Sequence, residues 1–186
     1  MSNKGQMNIF SERITLKLID NSDLEAIHAL HARPEVDHFN TLGIPKDIKE
    51  TEGTIKPWIS ENKKDSIENH TFSIELTKTH QFVGLIALIT SGAKKHKKAE
   101  VWYKLHPDFW GKGYASEALE NVLSFGFSKL KLHRIEAGVA VENQASIRVL
   151  EKVKMEKEGR KRKVLPLKSG WSDNYMYAIL SEDFNK

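Results

Sequence analysis

Cysteine is missing from all 186 positions of the sequence. Its absence excludes a disulfide framework, a thiolate metal site and a cysteine nucleophile together. A chain without cysteine is compatible with a reducing compartment, and we expect a cytoplasmic protein. Long apolar runs are also missing, because the longest, Phe82 to Ile89, is far shorter than the roughly 18–20 residues of a membrane helix. We therefore expect no membrane partner.

A large excess of one charge is missing as well, since 29 basic residues face 25 acidic ones. Eight of the basic residues fall in two short runs, and removing those eight from the 29 leaves 21 against 25. The runs indicate solvated loops or strand ends; the alternative is a surface for an acidic partner or for nucleic acid, such as the ribosome. No helix-turn-helix, zinc-finger or RNP pattern accompanies them. The runs are Lys94, Lys95, Lys97 and Lys98, and Arg160, Lys161, Arg162 and Lys163.

What is present is the composition of a folded chain, with 39% apolar and 29% charged residues. At this length we expect a single domain over residues 1–186, with residues 1–8 as a flexible tail. Apolar periodicity and capping residues predict the order β-α-α-β-β-β-α-β-α-β-β, an α+β fold with a mixed sheet. Strands are predicted at 14–18, 71–77, 82–89, 99–105, 133–141, 158–164 and 175–180. Helices are predicted after Ser22, after Asp47 (bent or divided at Pro57), at 113–130 and at 143–152.

The segment Trp110-Gly111-Lys112-Gly113-Tyr114-Ala115 lies between a predicted strand and a predicted helix. Glycines at such a junction allow successive backbone N–H groups to point into one concavity. The helix that follows adds a partial positive charge at its N-terminus. The segment therefore predicts a phosphate site, although a glycine-rich turn alone would be an ordinary loop.

The surrounding motifs make the phosphate interpretation more specific. The strand AEVWYKL precedes WGKGYASEAL, and the strand HRIEAGVAV precedes NQASIRVLEK. Together these motifs resemble the GNAT superfamily of acetyl-CoA-dependent N-acetyltransferases, and within it the RimJ/RimL type. The resemblance covers most of the chain. It implies a three-layer fold, in which a mixed, mostly antiparallel twisted sheet of about seven strands is flanked by helices.

The resemblance also implies how acetyl-CoA binds, with no metal involved. The backbone of the glycine segment would hold the pyrophosphate, and the preceding strand would splay from its neighbour and pair with the pantetheine amides. A backbone N–H near Tyr103 would polarise the thioester carbonyl, as in an oxyanion hole. Asn143 would cap its helix and contact the cofactor. The implied cofactor-binding residues are Tyr103, Lys104, Leu105, Trp110, Gly111, Lys112, Gly113, Tyr114, Ala115, Ser116 and Asn143.

The sequence departs from the family pattern at two places. Leu150 stands where many members have a tyrosine that protonates the leaving thiolate, and we expect Ser146 to take that role. Lys154-Met155 replaces a frequent Gly-Phe pair at the end of the same helix. Glu100 is the first candidate for the base that deprotonates the amine, and Glu75 is the second.

The resemblance implies direct transfer of the acetyl group to a primary amine, which we expect to be a protein N-terminal α-amine. A small amine such as a polyamine, an aminoglycoside or an amino acid is the alternative acceptor. Acidic residues of the first helices would favour a cationic substrate. A non-catalytic, acetyl-CoA-binding or RNA-associated module remains a third interpretation, and the protein would be a monomer or a homodimer. The acidic residues in question are Glu35, Asp37, Glu50 and Glu52.

Overall fold

The fold is an eight-stranded sheet with helices on both faces, seen in a computed structural model that describes residues 7–184. The strands are β1 (Asn8–Phe10), β2 (Ile14–Leu18), β3 (Asn69–Leu76), β4 (Phe82–Ser91), β5 (Lys98–Leu105), β6 (Arg134–Ala140), β7 (Glu156–Leu167) and β8 (Gly170–Leu180). Their order is β1-β2-β3-β4-β5-β6-β8-β7. Among the strands of residues 7–184, only β5 and β6 pair in parallel, so the expected mixed, mostly antiparallel sheet is confirmed.

The helices divide between the two faces of the sheet. On one face, α4 packs on alternate residues of the central strands in the larger apolar cluster, which also includes α5. On the other face, α1 and α3 form a smaller cluster around Leu85 of β4. Successive strand residues point to opposite faces, so Val101 faces α4 while Trp102 faces α3. The helices are α1 (Leu24–His31), α2 (Pro34–Asp37), α3 (Ile48–Asn62), α4 (Tyr114–Ser128), α5 (Gln144–Lys152) and α6 (Ser181–Phe184).

Two local expectations differ from the structure. The tail predicted over residues 1–8 lies mostly outside the described residues, but Asn8 opens β1, which pairs with β2 and adds an eighth strand. Pro57 does not divide α3, which is continuous over 15 residues. A proline costs its own N–H bond, but Ile55 and Ile59 on either side of it are buried, and this packing holds the helix together.

The central strands separate where the resemblance implied a cofactor cleft. The parallel register of β5 and β6 covers only three pairs, from Lys98↔Arg134 to Glu100↔Glu136. Beyond that point β5 stays paired with β4, and β6 stays paired with β8. Residues 101–105 of β5 therefore border an open wedge.

Candidate active site

The glycine segment presents a run of unpaired backbone N–H groups. Gly111 and Gly113 have left-handed backbones, with φ of 72° and 84°, and α4 starts directly after Gly113. Within residues 7–184, none of the N–H groups from Gly111 to Ser116 donates to a protein acceptor. Six successive free donors at a helix N-terminus, next to the open wedge, fit the pyrophosphate of a CoA molecule.

Trp110 has a different role from the one expected. Its backbone N–H already donates to the Pro107 carbonyl at 3.0 Å, so the free amides begin one residue later. Its indole Nε1 donates to the Leu105 carbonyl at 2.8 Å and fastens the glycine segment to the end of β5. Lys112 is exposed, with its ammonium 5.6 Å from the centre of the Phe109 ring.

Arg13 is a contributor to this segment that the sequence reasoning missed. Its guanidinium donates to the Lys112 carbonyl at 3.0 Å and pairs with Glu117 of α4 at 2.6 Å. It also lies over the Tyr114 ring, 4.8 Å from the centroid. Burial raises the pKa of Glu117, but hydrogen bonds from Ser11 and Arg13 lower it by more than burial raises it. The pKa of Glu117 is therefore below its ordinary value. Arg13 thus offsets a carboxylate that would otherwise repel a phosphate.

The register of β5 decides which of its backbone groups face the wedge. The N–H of His106 donates to the Val83 carbonyl of β4, and alternate residues of an antiparallel strand point the same way. Tyr103 and Leu105 therefore direct their backbone groups toward the wedge, as the oxyanion proposal for Tyr103 requires. Lys104 directs its backbone toward β4, so this register does not fit the expected pairing of Lys104 with pantetheine.

The Tyr103 side chain adds a second group that the sequence reasoning did not single out. Its phenol oxygen lies 2.7 Å from the Ser146 hydroxyl oxygen of α5, so the two hydroxyls meet on the α4 face of the wedge. Burial raises the pKa of Tyr103 to about 12, although the bond with Ser146 lowers it. The phenol therefore keeps its proton at neutral pH. In many family members a tyrosine of the helix that corresponds to α5 supplies the phenol. Here the phenol comes from Tyr103 of β5 instead.

The start and end of α5 accommodate both departures from the family pattern. Asn143 caps the helix, since its side-chain oxygen accepts from the Ser146 N–H at 3.1 Å. Leu150 is buried in the core, with 1% exposed. Lys154 takes the left-handed conformation that glycine usually supplies, with φ of 62°, and Met155 is buried. The turn therefore keeps its geometry with a strained lysine.

The two proposed bases occupy different surroundings. Glu100 is exposed, lies in the paired part of β5, and has no hydrogen bond or ion pair within residues 7–184. Glu75 is half-buried and already pairs with Lys17 at 3.4 Å. Neither carboxylate lies on the open part of β5.

Residues 7–184 contain neither a cluster of metal-binding side chains nor a membrane-crossing helix. No group of three or more His, Cys, Asp or Glu side chains within 7–184 is placed to hold a metal ion. None of the helices formed within that range combines the length and apolarity needed to cross a bilayer.

A sheet opened between two parallel strands, with a cradle of free amides at a helix N-terminus, defines a protein that binds a phosphate-bearing acyl carrier. Residues 13–156 match the family model described as "Acetyltransferase (GNAT) domain". The chain belongs to the GNAT acetyltransferase family. It is an acetyl-CoA-dependent N-acetyltransferase, and the fold expected from the resemblance is confirmed.

Individual relatives span nearly the whole chain. The uncharacterized N-acetyltransferase YnaD of Bacillus subtilis strain 168 is 31% identical over 96% of this chain and 100% of its own length. The crystal structure of a GNAT-family acetyltransferase from Bacillus anthracis has a TM-score of 0.81 at 32% identity, covering 95% of this chain and 99% of that one. The spermidine N(1)-acetyltransferase of Vibrio cholerae is 25% identical over 95% of this chain and 98% of its own.

Proposed function

We propose that the protein transfers the acetyl group of acetyl-CoA directly to the α-amine of a protein N-terminus, in the manner of the RimJ/RimL type. The binding of acetyl-CoA in this proposal is supported by the free backbone amides of residues 111–116, which lie beside the open edge of β5. The cytoplasm is the proposed location. Ribosome association and the choice between monomer and homodimer stay predictions.

The absence of a carboxylate on the open part of β5 supports an α-amine. An α-amine has a pKa of about 7.7–8.0, so roughly a tenth is neutral near pH 7, whereas a lysine ε-amine at about 10.4 is neutral to roughly one part in a few thousand. An acceptor that is already partly neutral needs only a weak or water-mediated base. Glu100 remains the proposed base, acting through water because of its position.

The chain's own residues supply the remaining steps. The thioester of acetyl-CoA provides the electrophilic carbonyl carbon. The Tyr103 N–H would donate to the carbonyl oxygen as negative charge develops on it. Ser146 would donate its hydroxyl proton to the departing sulfur and regain one from the Tyr103 phenol, 2.7 Å away. The phenolate would then recover, through water, the proton that the attacking amine releases. Asn143 can accept from the Ser146 N–H and still offer its amide N–H groups to the cofactor.

A small amine is the second candidate acceptor, and the spermidine acetyltransferase among the relatives favours it. The acidic residues named for a cationic substrate are divided, however. Glu35, Glu50 and Glu52 are exposed, whereas only Asp37 is buried. The polyamine interpretation therefore depends on a single buried carboxylate.

Release of free thiol from acetyl-CoA tests the proposal directly. N-terminal peptides, spermidine, an aminoglycoside and free amino acids should be offered at equal concentration, and the products identified by mass spectrometry. We expect the highest kcat/KM on an α-amine. Acetyl-CoA binding without turnover on any amine would contradict the proposal. A preference for spermidine would instead identify a small amine as the acceptor.

A further inference from the structure

Polar side chains line the face of β5 that α4 does not cover. Lys104 points to this side, and its ammonium lies 5.6 Å from the centre of the Trp102 ring. Trp102 contacts Trp58 of α3 at 5.5 Å between ring centroids, and Trp58 contacts His31 of α1 at 6.4 Å. Lys104 follows Tyr103 directly, so its ammonium lies on the other face of the strand from the Tyr103–Ser146 hydroxyl pair.

Two other groups on this side are buried and lack partners. Asp37 is 6% exposed and His31 is 5% exposed, and neither the Asp37 Oδ1 nor the His31 Nε2 has a hydrogen-bond partner within residues 7–184. Buried polar groups are normally paired, so such groups suggest a place for a ligand. A cavity of about 340 Å³ opens beside Asp37, and its wall includes His38, Ile44 and Lys168.

Lys104 and Asp37 influence each other without forming an ion pair. Burial lowers the pKa of Lys104 to about 8, while the Asp37 carboxylate acts to raise it. Lys104 has no carboxylate partner within residues 7–184. Lys104 and Asp37 lie on the same side of the sheet, where their neighbours Trp102 and Val36 belong to one apolar cluster. A cation and a buried anion with an unpaired oxygen, held apart on one side, suit a molecule that carries both charges.

We propose that this side of the sheet binds an acceptor that carries a carboxylate near its amine, with the carboxylate on Lys104 and an ammonium group on Asp37. This inference rests on the proposed acetyl transfer and specifies its substrate class. A free amino acid and a protein N-terminus that begins with an acidic residue share this chemistry. A polyamine does not share it, because it would bring only positive charge to Lys104.

Matched acceptors test the carboxylate separately from the amine. Ornithine and putrescine differ by one carboxylate, as do the peptide amides Glu-Ala-Ala and Gln-Ala-Ala in their first side chain. We expect kcat/KM to be at least about 10-fold higher for the acidic member of at least one pair. A preference within the ornithine–putrescine pair would identify a free amino acid as the acceptor. A preference within the peptide pair would identify a protein N-terminus that begins with an acidic residue.

The variant Lys104→Met should abolish that preference by lowering kcat/KM for the acidic acceptor alone, through KM. Lys129→Met removes an exposed lysine beyond α4 and is the matched control, which should keep the preference. Unchanged acetyl-CoA affinity in both variants would show that they fold.

Three results would overturn the inference. Putrescine or spermidine used as well as ornithine, together with no preference between the peptides, would exclude a carboxylate subsite. An equal fall in kcat on every acceptor in Lys104→Met would make Lys104 part of the chemistry instead. Acetyl-CoA binding without transfer to any amine would refute the proposed function itself, which is a different failure.

Discussion

The two faces of the central sheet are built in different ways. The α4 face holds the larger apolar cluster and the glycine segment, whose free backbone amides are proposed to bind the acetyl donor. The α1–α3 face holds a smaller apolar cluster and, beside a cavity, the unpaired buried oxygen of Asp37, whereas the unpaired ring nitrogen of His70 on the α4 face is packed against Phe125. We infer from this comparison that main-chain groups hold the acetyl donor and that individual side chains hold the acceptor. Substitutions on the first face should therefore affect every acceptor equally, and those on the second should discriminate among acceptors.

The largest effect should come from a carboxylate in the glycine segment. A Cβ at Gly113 would lie 3.3 Å from the Arg13 guanidinium, on a left-handed backbone. Gly113→Asp should weaken acetyl-CoA binding more than about 100-fold, because two like charges about 5 Å apart repel by roughly 3 kcal/mol at an effective dielectric constant of 20. Calorimetric titration with acetyl-CoA measures this.

Gly113→Asn is the matched control, since it has the same size and strain without the charge, and asparagine tolerates a left-handed backbone. Equal affinities of the Asp and Asn variants would mean that no phosphate lies there. The main-chain interpretation of the α4 face would then fail.

The next effect concerns the hydroxyl pair on the same face. Ser146→Ala and Tyr103→Phe should each lower kcat about 100-fold on every acceptor, the usual order for a lost proton donor, with KM little changed. Ser146→Ala keeps the helix cap, because Asn143 accepts from the Ser146 backbone N–H. Steady-state kinetics with two unrelated amines measures both parameters.

The double variant decides whether the two hydroxyls act together. If they form one relay, Ser146→Ala with Tyr103→Phe should be no slower than the worse single variant. Multiplied effects would mean independent roles. Wild-type turnover in Ser146→Ala would show that the Ser146 hydroxyl is not the proton donor to the leaving thiolate.

Much of the α4 face could be predicted from the sequence, because its signals are local. The glycine segment and the helix after it are contiguous, and the family resemblance of the flanking motifs implied the wedge. Arg13 could not be found this way, since its contact with Glu117 spans 104 positions and both residues are typical of a solvated surface. Asp37 and Lys104 are similarly separated, and only the fold brings them to the same side of the sheet. The contact between the Tyr103 and Ser146 hydroxyls could not be predicted either, because it depends on how α5 is placed against β5.

Two buried histidines, one on each face, give an effect of intermediate size. Burial lowers the pKa of His70, packed 5.1 Å from Phe125, to about 4, and burial with the charges of Lys104 and His28 lowers that of His31 to about 4. The folded state binds these protons less well than the unfolded state, so stability is kept above pH 6.5 and falls as the pH drops toward 4. Each histidine should cost about 2 kcal/mol of unfolding free energy between pH 7 and pH 5.

Urea unfolding at both pH values measures this cost in His70→Leu and His31→Leu, which should each lose about half of the pH dependence. The KM of the amine acceptor should distinguish the two faces of the sheet. His31→Leu should raise the KM of the amine, whereas His70→Leu should leave it unchanged. The same KM change in both variants would remove the distinction between the faces.

The smallest effect is expected at the basic run 160–163, which belongs to neither face. These residues lie on β7, an edge strand of the sheet, where positive charges oppose pairing with another chain. Asp173 already binds two of them, accepting from the Arg160 guanidinium at 2.6 Å and from the Lys163 N–H at 2.9 Å. Lys161→Ser with Arg162→Ser should therefore change turnover less than about twofold. Lys78→Ser with Lys129→Ser, at two exposed lysines outside the run, is a control of the same charge change. Salt-sensitive RNA binding by the wild type that disappears only in the β7 variant would instead identify a third functional surface.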